Sequence, residues 1–203
     1  MSILSPTSNF SVQPPTMPVH RFSVDEYHQM IQSGILTPDH QVELLEGLIV
    51  PKMARNPPHD GTCEIVEETL RRYLPPGWRI RSQKAITTSE SEPEPDVTVV
   101  PGTVRSNVQR HPLPQEIALL TEVSDTSLSR DRNEKLRLYA RARIECYWII
   151  NLIDRQVEVY TDPTGPDDNP VFRLQQIYRI GDAVPLVIAG QEVARVPVAE
   201  LLP

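Results

Sequence analysis

The chain has 203 residues, a length that suits one domain with a sizeable buried core. Hydrophobic residues make up 39% and aromatics 5%, so the expected core is aliphatic, and a carbohydrate cleft with two acids among stacked rings is disfavoured. A net charge of −7 excludes coating of nucleic acid or membrane by bulk attraction, because phosphate binding relies on Lys and Arg releasing counterions; any such contact must be local.

Residues 1–20 are rich in Ser, Pro and Thr and predict a flexible N-terminal arm, with residues 21–203 as one folded domain. From Phe22, Ser23 followed by Glu26 has the form of a capping box and predicts a short helix that ends near Gly34. The run from Val42 to Val50 predicts two short strands turning at Glu46-Gly47. After Pro57-Pro58, Ile65, Val66, Thr69, Leu70 and Tyr73 recur at helical spacing, with acids early and Arg71 and Arg72 late, as a helix dipole favours. Residues 78–87 suit a strand. Val97–Val100, Ile117–Val123 and Cys146–Ile150 are apolar on both faces, as strands sandwiched between layers are. Residues 130–142 predict a second helix between the last two. Beyond Asp154, alternation on either side of a Pro- and Asp-rich turn predicts an antiparallel hairpin.

This order implies an α/β fold, an α+β mixed sheet flanked by helices with an added C-terminal β hairpin. No apolar run approaches the roughly 18 residues a membrane span needs, and the start lacks a basic and then apolar leader, so a cytoplasmic protein is expected. Cys63 and Cys146 lie far apart in apolar stretches and are expected as buried reduced thiols.

The informative feature is where the acids sit. Asp96 falls at the mouth of one apolar strand and Glu122 lies inside another, where an ionised carboxylate is costly unless it is paired or metal-bound. If those strands are neighbours, two acids converge into a site for a hard divalent cation. Lys135, 13 residues after Glu122 and early in the second helix, could reach back to the same point with an ammonium. An i, i+4 pair with Asp131 on a solvated face is its competing use.

Pro95-Asp96, Glu122-Val123-Ser124, Asp131-Arg132-Asn133-Glu134-Lys135, Tyr139-Ala140 and Glu145-Cys146-Tyr147-Trp148-Ile149-Ile150, in that order, resemble the putative restriction endonuclease family of the PD-(D/E)XK nuclease superfamily. The likeness extends upstream to Glu43-Leu44-Leu45-Glu46-Gly47 and Pro58-His59, covering roughly residues 22–161. It implies a restriction-endonuclease-like core, cleavage of DNA with Mg²⁺ or alternatively Mn²⁺, and a homodimer. It implies Asp96, Glu122 and Lys135 as catalytic residues and Asp96, Glu122 and Glu46 as metal ligands, supported by His59 and, more weakly, Gln83. One departure matters: Ser124 stands where the superfamily usually has lysine, and Lys135 matches the position to which the lysine has moved in this family. A catalytically idle nuclease fold, kept as a binding or assembly module, is the alternative that this departure and the acidic charge leave open.

Overall fold

The computed structural model describes residues 18–203, and the expected N-terminal arm lies outside the described residues as far as residue 17. Helix α1 (Val24–Gln32) starts at the Ser23–Glu26 capping box, which is complete in both directions. β1 (Val42–Leu45) and β2 (Leu48–Pro51) pair antiparallel. They turn at Glu46 and Gly47, both at positive φ (47° and 76°), as a two-residue hairpin of the primed type requires. Gly47 is needed twice over, since a Cβ there would lie 2.6 Å from that of Arg21.

Helix α2 (Pro57–Tyr73) is capped by Asn56, whose side chain accepts from the His59 N–H at 3.0 Å. β3 (Trp78–Ser82) is shorter than expected, because Gln83 turns to φ 51°. β4 (Val97–Pro101), β5 (Leu119–Ser124) and β6 (Cys146–Asn151) follow, then β7 (Gln156–Pro163) and β8 (Phe172–Arg179). These six form one sheet in the order β3-β4-β5-β6-β7-β8, parallel only between β5 and β6. The strands expected beyond Asp154 thus complete the central sheet, because β7 pairs with β6 over the full length of β6. The C-terminal hairpin is β9 (Ala183–Ile188) and β10 (Gln191–Pro197), turning at Ala189-Gly190, a pair without a strong turn signature.

The crossover from β5 to β6 holds α3 (Leu128–Arg130), a π-helical stretch (Asp131–Lys135) and α4 (Leu136–Arg141), where periodicity predicts one regular helix. The wider turn is tied to the sheet along its length. Ser124 and Ser127 hydroxyls donate to Asp131 Oδ2 at 2.7 and 2.6 Å, and Arg132 pairs with the fully buried Glu158 of β7.

Period-2 alternation divides the sheet between two cores. Leu119, Val123, Cys146, Trp148 and Ile150 face α2 and the β9–β10 hairpin. Leu120, Tyr147 and Ile149 face the crossover helices with Leu128, Leu138 and Tyr139. Fully burying each Leu or Ile contributes about 1.5–3 kcal/mol, and β5 and β6 are buried on both sides. Any polar side chain on β5 is therefore held away from bulk water.

Candidate active site

Val97 of β4 faces Thr121 of β5, so Asp96 and Glu122 come next in register, on the face of the crossover helices. Asp96 is 6% and Glu122 2% exposed. The Val123 N–H donates to Asp96 Oδ2 at 2.9 Å, and His59 Nε2 lies 3.2 Å from the same oxygen. Lys135 Nζ donates to Glu122 Oε1 at 2.8 Å, and the Tyr139 hydroxyl donates to that oxygen at 2.6 Å. Each acid thus has one oxygen held by two donors. Asp96 Oδ1 and Glu122 Oε2 have no hydrogen-bond partner among the described residues, and both acids line one polar cleft of about 60 Å³. At roughly 10–15 Å³ per water, that space suits a partly hydrated ion rather than a nucleotide.

The cleft is also lined by Glu43, Lys52, Arg55, Arg130 and Asp131. Glu43, from buried β1, accepts from the Glu94 N–H at 3.2 Å and from Arg130 at 3.4 Å. Lys52 pairs with Glu94 at 2.8 Å. Arg55 donates to the neutral Gln83 carbonyl at 2.6 Å and has no acidic partner within 4.0 Å among the described residues.

Burial pushes the Glu122 carboxyl up to about 8, the charges of Asp96 and Asp131 push the same way, and Lys135 opposes them. Burial would lower the Lys135 ammonium, but Glu122, Glu43, Asp131 and Asp96 outweigh it and hold Lys135 above its ordinary value, so it stays charged. Burial also works against the Asp96 carboxylate; the His59 hydrogen bond and the charges of His59 and Lys135 win and hold it below its usual range. The same hydrogen bond raises His59. Burial pushes the Cys63 thiol upward.

Four of the six residues singled out from sequence converge here: Asp96, Glu122, Lys135 and His59. The Lys135–Asp131 pair on a solvated face does not form, since both residues are buried and Lys135 donates to Glu122. Glu46 does not line the cleft. Its turn conformation points its carboxylate to Arg137 at 2.5 Å and Arg141 at 3.6 Å, and Glu43, three residues earlier on the strand, lines the cleft instead. Gln83 is not a lining residue either, but its backbone N–H donates to the Asp96 carbonyl at 2.9 Å and its side chain holds Arg55.

Sequence reasoning missed Glu43, Tyr139 and Asp131 as site residues. An acid between Val42 and Leu44 in an otherwise apolar strand is a usable signal for Glu43. Tyr139 stands one helical turn after Lys135, which is legible only once Lys135 is known to point inward.

The architecture is nuclease-like. The structure is similar to the crystal structure of a putative nuclease belonging to DUF820 from Anabaena variabilis, with a TM-score of 0.63 and 14% sequence identity, over 89% of this chain and 97% of that one. The Uma2 family model, described as a putative restriction endonuclease, matches residues 24–193, and the chain belongs to this family. No curated protein matches. Among the described residues, no helix is long and apolar enough to cross a membrane.

Proposed function

We propose that the protein is a metal-dependent DNA endonuclease that hydrolyses phosphodiester bonds at the cleft between Asp96 and Glu122, with Lys135 assisting. The observation that carries this is the pair of oxygens without a partner among the described residues, Asp96 Oδ1 and Glu122 Oε2, beside one small polar cleft, each carboxylate anchored through its other oxygen. A pair of hard oxygen donors matches Mg²⁺, with Mn²⁺ as substitute. The charge balance fits as well. Six acids, Glu43, Glu94, Asp96, Glu122, Asp125 and Asp131, line the cleft against four cations, Lys52, Arg55, Arg130 and Lys135, and Glu122 is pushed toward holding a proton that a cation would displace.

Asp96 and Glu122 would hold the ion, with Glu43 as the third acid in reach of the cleft. When bound, such an ion supplies Lewis-acid polarisation of a phosphoryl oxygen and a more acidic water. The chain's own groups do the rest. Lys135 keeps an ammonium at Glu122, preorganised to stabilise charge that develops on phosphate, and Tyr139 shares the load on Glu122 Oε1 so that this ammonium need not swing away. His59 fixes the rotamer of Asp96 from the N-terminal turn of α2. Arg55, with no acidic partner among the described residues, is the rim cation best suited to a neighbouring phosphate.

DNA as the substrate comes from the family description. A homodimer belongs to the same proposal, with the open edge of strand β8 as its contact, to be checked by sedimentation. The central test is incubation of purified protein with plasmid and Mg²⁺ or Mn²⁺. Cleavage is expected with the wild type and not with Asp96→Ala. Cleavage by Asp96→Ala at the wild-type rate would defeat the assignment. Absence of divalent binding by calorimetry in the folded protein would favour an idle nuclease fold.

A further inference from the structure

The nuclease chemistry leaves the buried Cys63 thiol unused. Cys63 stands one helical turn after His59 on α2, at the i, i+4 spacing that puts two side chains on one helix face, and it points toward the same acid. We propose that His59, Cys63 and Asp96 form a second metal site, for a borderline-soft divalent ion of the zinc type, whose occupation withdraws Asp96 from its pairing with Glu122.

One ligand atom from each of the three residues lies within 4.8 Å of the others. His59 Nε2 is 3.2 Å from Asp96 Oδ2, and Cys63 Sγ is 3.7 Å from His59 Nδ1. Bonds of about 2.0–2.3 Å to N, O and S ask for donors somewhat closer than 4.8 Å, a difference that side-chain rotation can supply. His59 Nδ1 lies 3.3 Å from Asp60 Oδ1, an outer contact that would leave Nε2 to face the ion beside Asp96; Cys63 Sγ contacts Nδ1, so its side chain would have to rotate toward Nε2 to join the site. His59 and Asp96 line the cleft, which opens the fourth coordination position to water. Donor softness gives the selectivity: a thiolate is a poor ligand for Mg²⁺ and a good one for Zn²⁺, Co²⁺ or Cd²⁺. Three mixed N, S and O ligands with one open position are a zinc arrangement, whereas Asp96 with Glu122 is an all-oxygen one. The all-oxygen site would use Asp96 Oδ1 and the mixed site Oδ2, and closing the 4.8 Å spread of the mixed set would draw the Asp96 carboxylate toward His59 and Cys63, away from Glu122.

Binding at this site stands independently of the nuclease proposal; the withdrawal of Asp96 rests on it. The experiment is a Co²⁺ titration of the full chain after chelator treatment, followed by absorption and native mass spectrometry. One ion per chain and a thiolate-to-cobalt charge-transfer band are expected, with the band bleached by Zn²⁺. Cys63→Ala should lose the band, Cys146→Ala should keep it, and His59→Gln should weaken Co²⁺ binding at least tenfold. No band in the wild type, or a band that survives in Cys63→Ala, overturns the site. Circular dichroism checks that the variants fold, and Cys63→Ser replaces Cys63→Ala if the latter does not. In Mg²⁺-supported cleavage, one equivalent of Zn²⁺ should slow the wild type at least tenfold and slow the Cys63 variant less, each against its own zinc-free rate. A band without such inhibition overturns the withdrawal of Asp96. A band in a protein that never cleaves DNA supports the site and counts against the nuclease proposal.

Discussion

Lys135 Nζ reaches Glu122 Oε1 across 2.8 Å from a π-helical stretch that begins seven residues after β5 ends, and Tyr139 reaches the same oxygen one turn later. The strand carries the acid and the crossover carries the cation, so the distance between them is set by packing of helix on sheet rather than by a local turn. Asp131, at the start of the stretch, is pinned by Ser124 and Ser127, which fixes where the helix sets off from β5.

Loss of one partner from a buried ion pair typically costs about 3–5 kcal/mol. Lys135→Met should cost less at pH 7, about 1–3 kcal/mol, because burial pushes Glu122 toward holding a proton and the Tyr139 hydroxyl still donates to it. The deficit should widen as pH rises, because Lys135 favours the ionised Glu122 in the wild type, whereas burial in the variant favours the protonated form. Urea unfolding from pH 6 to 9 checks this, and a deficit that narrows above pH 8 would contradict it. Cleavage should fall at least a hundredfold.

Glu43 and Glu46 separate by activity. Glu43→Gln should reduce cleavage at least tenfold, since Glu43 lines the cleft among the other acids. Glu46→Gln should leave cleavage within about twofold and cost less than about 1 kcal/mol, as expected for a surface pair with Arg137 and Arg141. Side-by-side kinetics and melting of both variants decide it, and the reverse ranking would return Glu46 to the site.

His59 should titrate above 6.5, because its hydrogen bond to Asp96 favours the charged ring. With a folded-state pKa above the unfolded one, its contribution to stability is complete below the unfolded pKa and is lost as pH rises through the folded value. NMR titration of the imidazole should show a lower pKa in Asp96→Asn than in the wild type. Identical curves would remove the His59–Asp96 bond from the account.

Glu158 has the opposite sign. Burial works against its carboxylate, but Arg132, Asn151, Tyr160 and Gln156 all donate to it and hold it down at about 2, against an ordinary value of 4.5. Its stabilisation is present above pH 4.5 and is lost as pH falls toward 2, worth about 1–3 kcal/mol after discounting for the partly exposed Arg132. Arg132→Met should flatten the acid limb of the stability–pH curve. An unchanged limb in denaturant melts between pH 5 and 2 would assign that acid sensitivity to other groups.

The sequence by itself determined the elements whose signals are local. The Ser23–Glu26 capping box, the Glu46-Gly47 turn and three strands apolar on both faces depend on a few neighbouring residues, and Asp96 and Glu122 stood out because an acid in such a strand needs a partner. Tertiary structure alone decided which groups that partnership includes. Whether Glu43 or Glu46 enters the site depends on the turn that separates β1 from its end, since strand residues alternate faces and a turn residue follows neither. The π-helical stretch, the inward reach of Lys135 and Tyr139, and the covering of the opposite face by β9–β10 arise from contacts between residues far apart in the chain. Their free energy comes from burial and buried hydrogen bonds that exist only once the sheet has formed, so no local pattern records them.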